Sequence, residues 1–235
     1  AFEGALSART KGVLINSPNN PSGTVYSRAT LERLADILQR RSAEYGHPIY
    51  LISDEPYREI AYAGVEVPWV PQFYRDTIVC YSFSKSLSLP GERIGYVLVP
   101  KEVTDSGDVY AAVAGAGRSL GYVCAPSLFQ RVTSLCCDMT SDIGVYEENA
   151  RLLVTSLREM GYHVVEPQGA FYLFPRTLDP DDVAFCERAK RDFDLLIVPG
   201  SGFGAPGHTR ISYCVPTDMI RRALPKFRAL ADSYR

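Results

Sequence analysis

The sequence predicts an α/β fold, with a mostly parallel sheet in residues 1–141 and a smaller α+β domain in residues 142–235. In residues 1–100, short apolar and β-branched runs end in turn-forming clusters, which is typical of strands covered on both faces. From about residue 101 to 160 the periodicity is helical, and beyond it short strands mix with helices. This order of patterns predicts a sheet followed by a separate small domain.

The composition is that of an ordinary globular protein. The chain has 235 residues, a net charge of −2 and 46% hydrophobic residues, which argues against disorder and low-complexity architecture. A charge this close to neutral gives no electrostatic reason to expect nucleic acid or an anionic membrane as the main partner. No apolar run reaches the roughly 20 residues that span a bilayer, and the first residues lack a signal-peptide pattern. We therefore expect a cytoplasmic protein with no nucleic-acid or membrane partner.

The first half should contain four strands and one long helix. The first strand, Gly12–Asn16, ends in the turn-rich residues 17–23. Apolar residues then recur at helical spacing after Ser27, a suitable N-cap, as far as Gly46. Three further apolar runs predict strands covered on both faces: 49–53, 77–81 and 95–99.

The second half should be mostly helical. We expect helices at 101–117, 126–139 and 142–160, one beginning at residues 179–180, and a last one from Thr217. Pro225 should kink that last helix or mark its true start. Short strands are expected at 164–165, 171–174, 195–198 and 210–214.

Lys85 is the most informative single residue. Lysine is scarce, with only five copies in the chain, and Lys85 directly follows a buried-type strand within the run Ser82–Ser86. A lysine at the mouth of a sheet can be desolvated, and its neutral amine can then form a Schiff base with a carbonyl. A lysine in a surface loop is the alternative interpretation.

The other strand ends supply groups that suit pyridoxal. Asp54 offers a carboxylate to a pyridine nitrogen, while Tyr57 and Asn20 offer a phenol and an amide near a phenolic oxygen. Ser82 and Arg93 offer a hydroxyl and a planar cation to a phosphate. Each residue also has a structural interpretation, as a turn cap, a core residue, a turn residue or a surface charge.

Metal and disulfide chemistry are not expected. The six cysteines are scattered without a C-x-x-C pair, so we predict free thiols. The three histidines lie far apart and form no local metal-binding pattern.

Several spaced strings together carry a family resemblance. In order, they are residues 16–23 (NSPNNPSG), 53–57 (SDEPY), 82–85 (SFSK), 90–96 (PGERIGY), 167–172 (PQGAFY), 198–204 (VPGSGFG) and 210–213 (RISY). The chain thereby resembles the class I/II pyridoxal-phosphate aminotransferases of the aspartate aminotransferase fold, also called fold type I. The resemblance covers nearly the whole chain.

The resemblance implies a role for each candidate residue. Lys85 would be the lysine that forms the Schiff base with pyridoxal 5′-phosphate and moves the substrate proton. Asp54 would pair with the pyridine nitrogen, and Tyr57 and Asn20 would hydrogen-bond the ring oxygen. Two residues would bind the phosphate, Ser82 and Arg93. The substrate α-carboxylate would pair with Arg210.

The resemblance also implies an aminotransferase that moves an amino group between an amino acid and a 2-oxo acid by a ping-pong mechanism. Alternatives are a lyase or synthase of the same fold, or an aminotransferase-like sensor domain of a transcription regulator. In full members of the family, a phosphate loop, a ring-stacking residue and an arm that reaches a dimer partner precede the first motif. We therefore expect residues 1–141 to be the C-terminal part of the large domain, residues 142–235 to be the small domain, and the intact protein to be a homodimer. The chain alone should bind the cofactor weakly and turn over little.

Overall fold

The computed structural model describes residues 1–235, which form two compact units. The first unit consists of Ala1–Ser17, Tyr26–Glu59 and Glu66–Ser141, and the second of Pro18–Val25, Ile60–Val65 and Asp142–Arg235. The assignment of these units to a large and a small domain stays a prediction. None of the helices is both long enough and apolar enough to cross a membrane.

A four-stranded sheet organises the first unit. Its strands are β1 (Gly12–Asn16), β2 (Tyr50–Asp54), β3 (Thr77–Ser82) and β4 (Gly95–Leu98), and they lie in the order β1-β2-β3-β4. The pairs β1–β2 and β2–β3 are parallel, while β4 runs antiparallel to β3. The predicted α/β fold with a mostly parallel sheet is confirmed.

The expectation that β4 is covered on both faces is wrong. All four of its residues are exposed, and Tyr96 and Val97 expose 48% and 43% of their surface. β4 is the edge strand and pairs with β3 alone. An apolar run shows that residues are suited to burial, but not whether another element packs on them.

The long helix α1 (Arg28–Tyr45) begins and ends as predicted. The Ser27 side chain caps it by accepting a hydrogen bond from the Thr30 N–H at 3.2 Å, and Gly46 ends it in the left-handed region at φ 71°. Its apolar side packs against the sheet in one core cluster, which comprises Ile15, Leu31, Ala35, Leu38, Ile49, Leu51, Val70 and Tyr74.

Three further helices complete the first unit. A single turn, α2 (Phe83–Ser86), follows β3 directly, and α3 (Ser106–Ser119) and α4 (Ser127–Cys136) follow β4. Both of the latter are shorter than expected from the sequence. No residue of α3 is buried, and Thr133 alone is buried in α4.

The second unit packs helices around a small antiparallel sheet. The helices are α5 (Ile143–Glu159), α6 (Asp182–Phe193) and α7 (Thr217–Asp232), and the strands are β5 (Tyr172–Leu173), β6 (Val198–Pro199) and β7 (Thr209–Ser212), in the order β5-β7-β6. Its fully buried side chains include Leu153, Leu157, Phe185, Tyr213 and Leu230.

Several expected boundaries in this unit are wrong. Residues 164–165 form no strand. In place of the strand expected at 195–198, the structure has the two-residue strand β6. The helix expected from residues 179–180 begins at Asp182, because the Asp181 carboxylate caps it by accepting from Val183 and Ala184. Pro225 does not mark the start of the last helix, since α7 begins at Thr217 and continues through Pro225; burial of one face of this helix outweighs one lost backbone donor.

Candidate active site

Three predicted site residues of the first unit, Asp54, Ser82 and Lys85, lie at or just after the carboxyl ends of its parallel strands. Asn16 ends β1, Asp54 ends β2, and the register pairs these two residues with each other. Asp54 is also opposite Cys80, so Ser82 at the end of β3 lies two residues, or about 7 Å, farther along the same edge. This edge therefore carries a carboxylate, an amide and a hydroxyl, with Lys85 close behind.

Asp54 is oriented by Asn16. The Asn16 Nδ2 group donates to Asp54 Oδ2 at 3.0 Å and to the Asp54 carbonyl oxygen at 3.0 Å. Burial raises the pKa of the Asp54 carboxyl, the hydrogen bond from Asn16 acts in the opposite direction, and the nearby Glu55 charge adds to the rise. Sequence reasoning assigned no role to Asn16, although it stands at the strand end beside Asp54.

A buried ion pair fixes the chain just after Asp54. Glu55 is 1% exposed and accepts hydrogen bonds from the Ser53 hydroxyl at 2.7 Å and from Arg58 Nε at 2.5 Å. The Arg58 guanidinium also lies 4.9 Å from the ring centroid of Trp69. Tyr57, which lies between Glu55 and Arg58 in the sequence, is 3% exposed. The sequence did not predict the Glu55–Arg58 ion pair, because an acidic residue and an arginine three residues apart are common on protein surfaces.

Lys85 lies in the single turn α2, directly after β3. Ser82 is the N-cap of this turn: its Oγ accepts from the Ser84 N–H at 3.2 Å and donates to Ser84 Oγ at 2.8 Å. Lys85 itself is half-buried, whereas Ser84 and Ser86 on either side of it are buried. The strand end thus holds Lys85 in a short, well-defined turn.

Tyr81 secures the same turn from the strand. Its hydroxyl donates to Glu59 at 2.7 Å and lies 2.9 Å from Ser86 Oγ. Burial raises the pKa of Tyr81, so its phenol is neutral and acts as a hydrogen-bond donor at physiological pH.

Arg93 is exposed and follows the 3-10 turn Pro90–Glu92 with φ 53°. Its Nη1 donates to the Pro90 carbonyl oxygen at 2.8 Å, within its own turn. The backbone nevertheless returns beside the end of β3, because Gly95 pairs with Ser82. The structure brings the main chain near Ser82 but does not direct the guanidinium to that hydroxyl.

The remaining two predicted residues meet in the second unit. Arg210 on β7 donates from Nη1 to Asn20 Oδ1 at 3.1 Å. The segment Pro18–Val25 that carries Asn20 is anchored at Gly23, whose carbonyl oxygen accepts from the N–H groups of Gln168 and Gly169. Gly23 has φ 69°, and a Cβ there would lie 2.5 Å from Pro167 Cβ, so this position requires glycine.

Two aromatic rings enclose the Arg210 guanidinium, and sequence reasoning missed both. Its Cζ lies 4.9 Å from the ring centroid of Tyr172 and 4.7 Å from that of Phe203. Tyr172 and Phe203 both stand in strings that carry the family resemblance, but nothing local indicates that they face one arginine.

Comparison with known proteins identifies the family. The sequence profile of the aminotransferase class I and II family matches residues 1–227. This chain belongs to the class I and II aminotransferases. It is 33% identical to an aspartate aminotransferase of Thermotoga maritima over 98% of this chain and 59% of that protein. It is 32% identical to an aspartate/prephenate aminotransferase of Thermus thermophilus over 95% of this chain and 57% of that protein.

Solved aminotransferase structures share the fold. An aminotransferase from Eubacterium rectale superposes with a TM-score of 0.95 at 56% identity, over 100% of this chain and 58% of that one. The Thermotoga maritima aspartate aminotransferase superposes with a TM-score of 0.84. The chain thus spans somewhat less than 60% of the length of these relatives.

Proposed function

We propose that the protein containing this chain is a pyridoxal 5′-phosphate-dependent transaminase that moves an amino group between an amino acid and a 2-oxo acid. The observation that carries the proposal is the alignment of Asp54, Ser82 and Lys85 along one edge of one sheet. Family membership and relatives described as aspartate aminotransferases support the same activity.

The chemistry of the first unit suits the cofactor. Asp54 offers a half-buried carboxylate fixed by Asn16, which would accept a hydrogen bond from a pyridinium nitrogen. Ser82 would bind the phosphate together with Arg93, whose guanidinium would have to turn away from the Pro90 carbonyl oxygen, and Tyr57 would bind the ring oxygen. When bound, pyridoxal phosphate supplies an electron sink that acidifies the substrate Cα–H bond.

Lys85 would act on protons at the reacting carbon. A half-buried amine on a short turn is restrained in position, and it would hold the proton that moves between the substrate Cα and the cofactor C4′. In the second unit, Arg210 would orient the substrate through its α-carboxylate, and the hydrogen bond to Asn20 would help to hold the guanidinium in place.

Reductive trapping tests the proposed lysine. The protein is incubated with pyridoxal phosphate, reduced with borohydride and mapped by mass spectrometry. We expect the covalent label on Lys85, and Lys85→Ala should lose it together with at least about 100-fold of activity. The matched control is Lys101→Ala, at an exposed lysine of the same unit. A label distributed over exposed lysines would contradict the assignment.

Product analysis separates a transaminase from the lyase or synthase alternative, which the relatives do not favour. Without a 2-oxo acid acceptor, a transaminase converts one equivalent of amino acid per site and stops. Continued release of product without an acceptor would instead indicate elimination. A panel beginning with aspartate and aromatic amino acids follows from the names of the relatives.

Three further expectations remain predictions: a homodimeric intact protein, a cytoplasmic location, and weak cofactor binding by the 235-residue chain alone. Sedimentation of the intact protein tests the first. A fluorescence titration of the isolated chain with pyridoxal phosphate tests the last.

A further inference from the structure

The guanidinium carbon of Arg210 lies over two aromatic rings, 4.9 Å from the centroid of Tyr172 and 4.7 Å from that of Phe203. Its Nη1 is occupied by Asn20, whereas its Nε–H is buried without a hydrogen-bond partner. The rings cover apolar surface around the guanidinium, while its N–H donors point outward in its plane, so a polar ligand would bind at that edge. Carboxylates bind arginine in this geometry.

Phe203 reaches Arg210 from a short turn. It ends the 3-10 turn Gly200–Phe203 and is still 36% exposed. Its other ring contact is Phe174, edge-on at 6.1 Å, and Phe174 in turn stacks on His208 at 5.2 Å. A ring this exposed is not held by the core, so its position over Arg210 depends on the turn that carries it.

That turn is fixed by a buried carboxylate. Asp182, at the start of α6, is 3% exposed and accepts hydrogen bonds from the Ser201 backbone N–H at 2.6 Å and the Ser201 hydroxyl at 2.7 Å. These bonds from Ser201 lower the pKa of Asp182, so the carboxylate is ionised and both bonds are charge-assisted. Ser201 is two residues before Phe203.

We propose that Asp182, Ser201 and Phe203 are positioning residues for Arg210. Asp182 fixes Ser201, the turn then places Phe203 against the guanidinium together with Tyr172, and the guanidinium presents its N–H edge to a carboxylate ligand. The inference rests on the proposed function, because it takes Arg210 to be the receptor of the substrate carboxylate.

The first test needs no cofactor. In the full chain, arginine side-chain ¹⁵N spectra report rotation about the Nε–Cζ bond of Arg210. We expect slow rotation in the wild type, faster rotation in Phe203→Leu and Ser201→Ala, and recovery in Phe203→Tyr. Tyr110→Leu, which removes an exposed ring from the other unit, is the control and should change nothing. Unchanged rotation in folded Phe203→Leu would overturn the proposal.

The second test measures ligand binding. With pyruvate as the probe, Phe203→Leu and Asp182→Asn should weaken binding about 3- to 10-fold, the range of one cation–π contact. In the intact enzyme, KM for amino acid and for 2-oxo acid should rise together while kcat changes little. If Asp182→Asn does not fold, Ser201→Ala carries this test.

The variant Arg210→Lys distinguishes failure of the proposed carboxylate-binding role of Arg210 from failure of the positioning proposal. If it leaves carboxylate binding unchanged, the proposed role of Arg210 fails. If it abolishes binding while the Phe203 and Ser201 variants bind like the wild type, the positioning proposal alone fails.

Discussion

Asn16 donates from Nδ2 to Asp54 Oδ2 across the β1–β2 pair, and the same Nδ2 group also donates to the Asp54 carbonyl oxygen. This hydrogen bond opposes the rise in the pKa of Asp54 that burial causes. We expect Asn16→Ala to raise that pKa further and to destabilise the fold by about 1 kcal/mol. Carboxyl ¹³C titration and urea unfolding measure the two effects. A pKa that falls in the variant would contradict this interpretation.

Asp54→Asn should stabilise the cofactor-free chain at pH 7. The folded-state pKa of Asp54 lies above its unfolded value, so the charged carboxylate costs stability above that range and the cost disappears as the pH falls. The variant keeps an oxygen that accepts from Asn16. Its advantage in urea midpoint should therefore shrink from pH 7 towards pH 4. Cofactor affinity should fall in the same variant.

Asn149 is a buried polar link in the second unit. It is fully buried on α5, and its Nδ2 donates to the carbonyl oxygens of Tyr213 at 3.1 Å and Val215 at 2.9 Å. Asn149→Leu leaves both carbonyls without this donor and should cost about 2–4 kcal/mol in urea unfolding. Glu148→Leu, at the exposed neighbouring position, is the control and should change stability by less than about 0.5 kcal/mol.

Two glycines of one turn should respond differently to alanine. A Cβ on Gly200 would clash with the Ala205 carbonyl oxygen and lie 2.8 Å from that of His208, whereas a Cβ on Gly202 would meet nothing within 4 Å. Gly200→Ala should therefore lower the melting temperature by several degrees, since about 1 kcal/mol shifts it by 2–4 °C in a protein of this size. Gly202→Ala should melt like the wild type. Equal melting of the two variants would refute the close packing around Gly200.

The rate at which each cysteine reacts with a thiol reagent should follow the exposure of its side chain. All six cysteines are free; Cys124, Cys137 and Cys214 are exposed, while burial raises the pKa of Cys80 and Cys186. Because the thiolate is the reactive form, the three exposed cysteines should react with DTNB before the other two. Mass spectrometry of partially labelled protein identifies the sites. Early labelling of Cys186 would show that the α6–β7 packing opens readily.

Local patterns predicted the parts of the fold that local forces determine. β1, α1 and its two caps follow from apolar periodicity, Ser27 and Gly46. The strand-end residues Asp54 and Lys85 were found because parallel strands expose their carboxyl ends at one edge. Exposure of β4 was not predicted, since its sequence resembles that of a buried strand.

Long-range contacts were the part that sequence reasoning could not predict. The hydrogen bond of Asn16 to Asp54 depends on sheet register, and the enclosure of Arg210 depends on the strand β5 and a turn that lie far apart in the chain. Nothing in residues 18–25 indicates that they belong with residues beyond 142. The motif resemblance predicted that Asn20 and Arg210 belong to one site, but no sequence pattern indicates that the two side chains hydrogen-bond to each other.

The second unit is discontinuous in sequence, and this limits how parts of the protein can be exchanged with those of its relatives. Arg210 is hydrogen-bonded to Asn20, and Ala170 donates its N–H to the Ile60 carbonyl oxygen, so the unit needs two short segments from the first 65 residues of this chain. In a chimera joined by one crossover at residue 141, Arg210 would come from one relative and the segment that carries Asn20 would come from the other. Exchanging the unit intact between relatives requires moving all three pieces of sequence together.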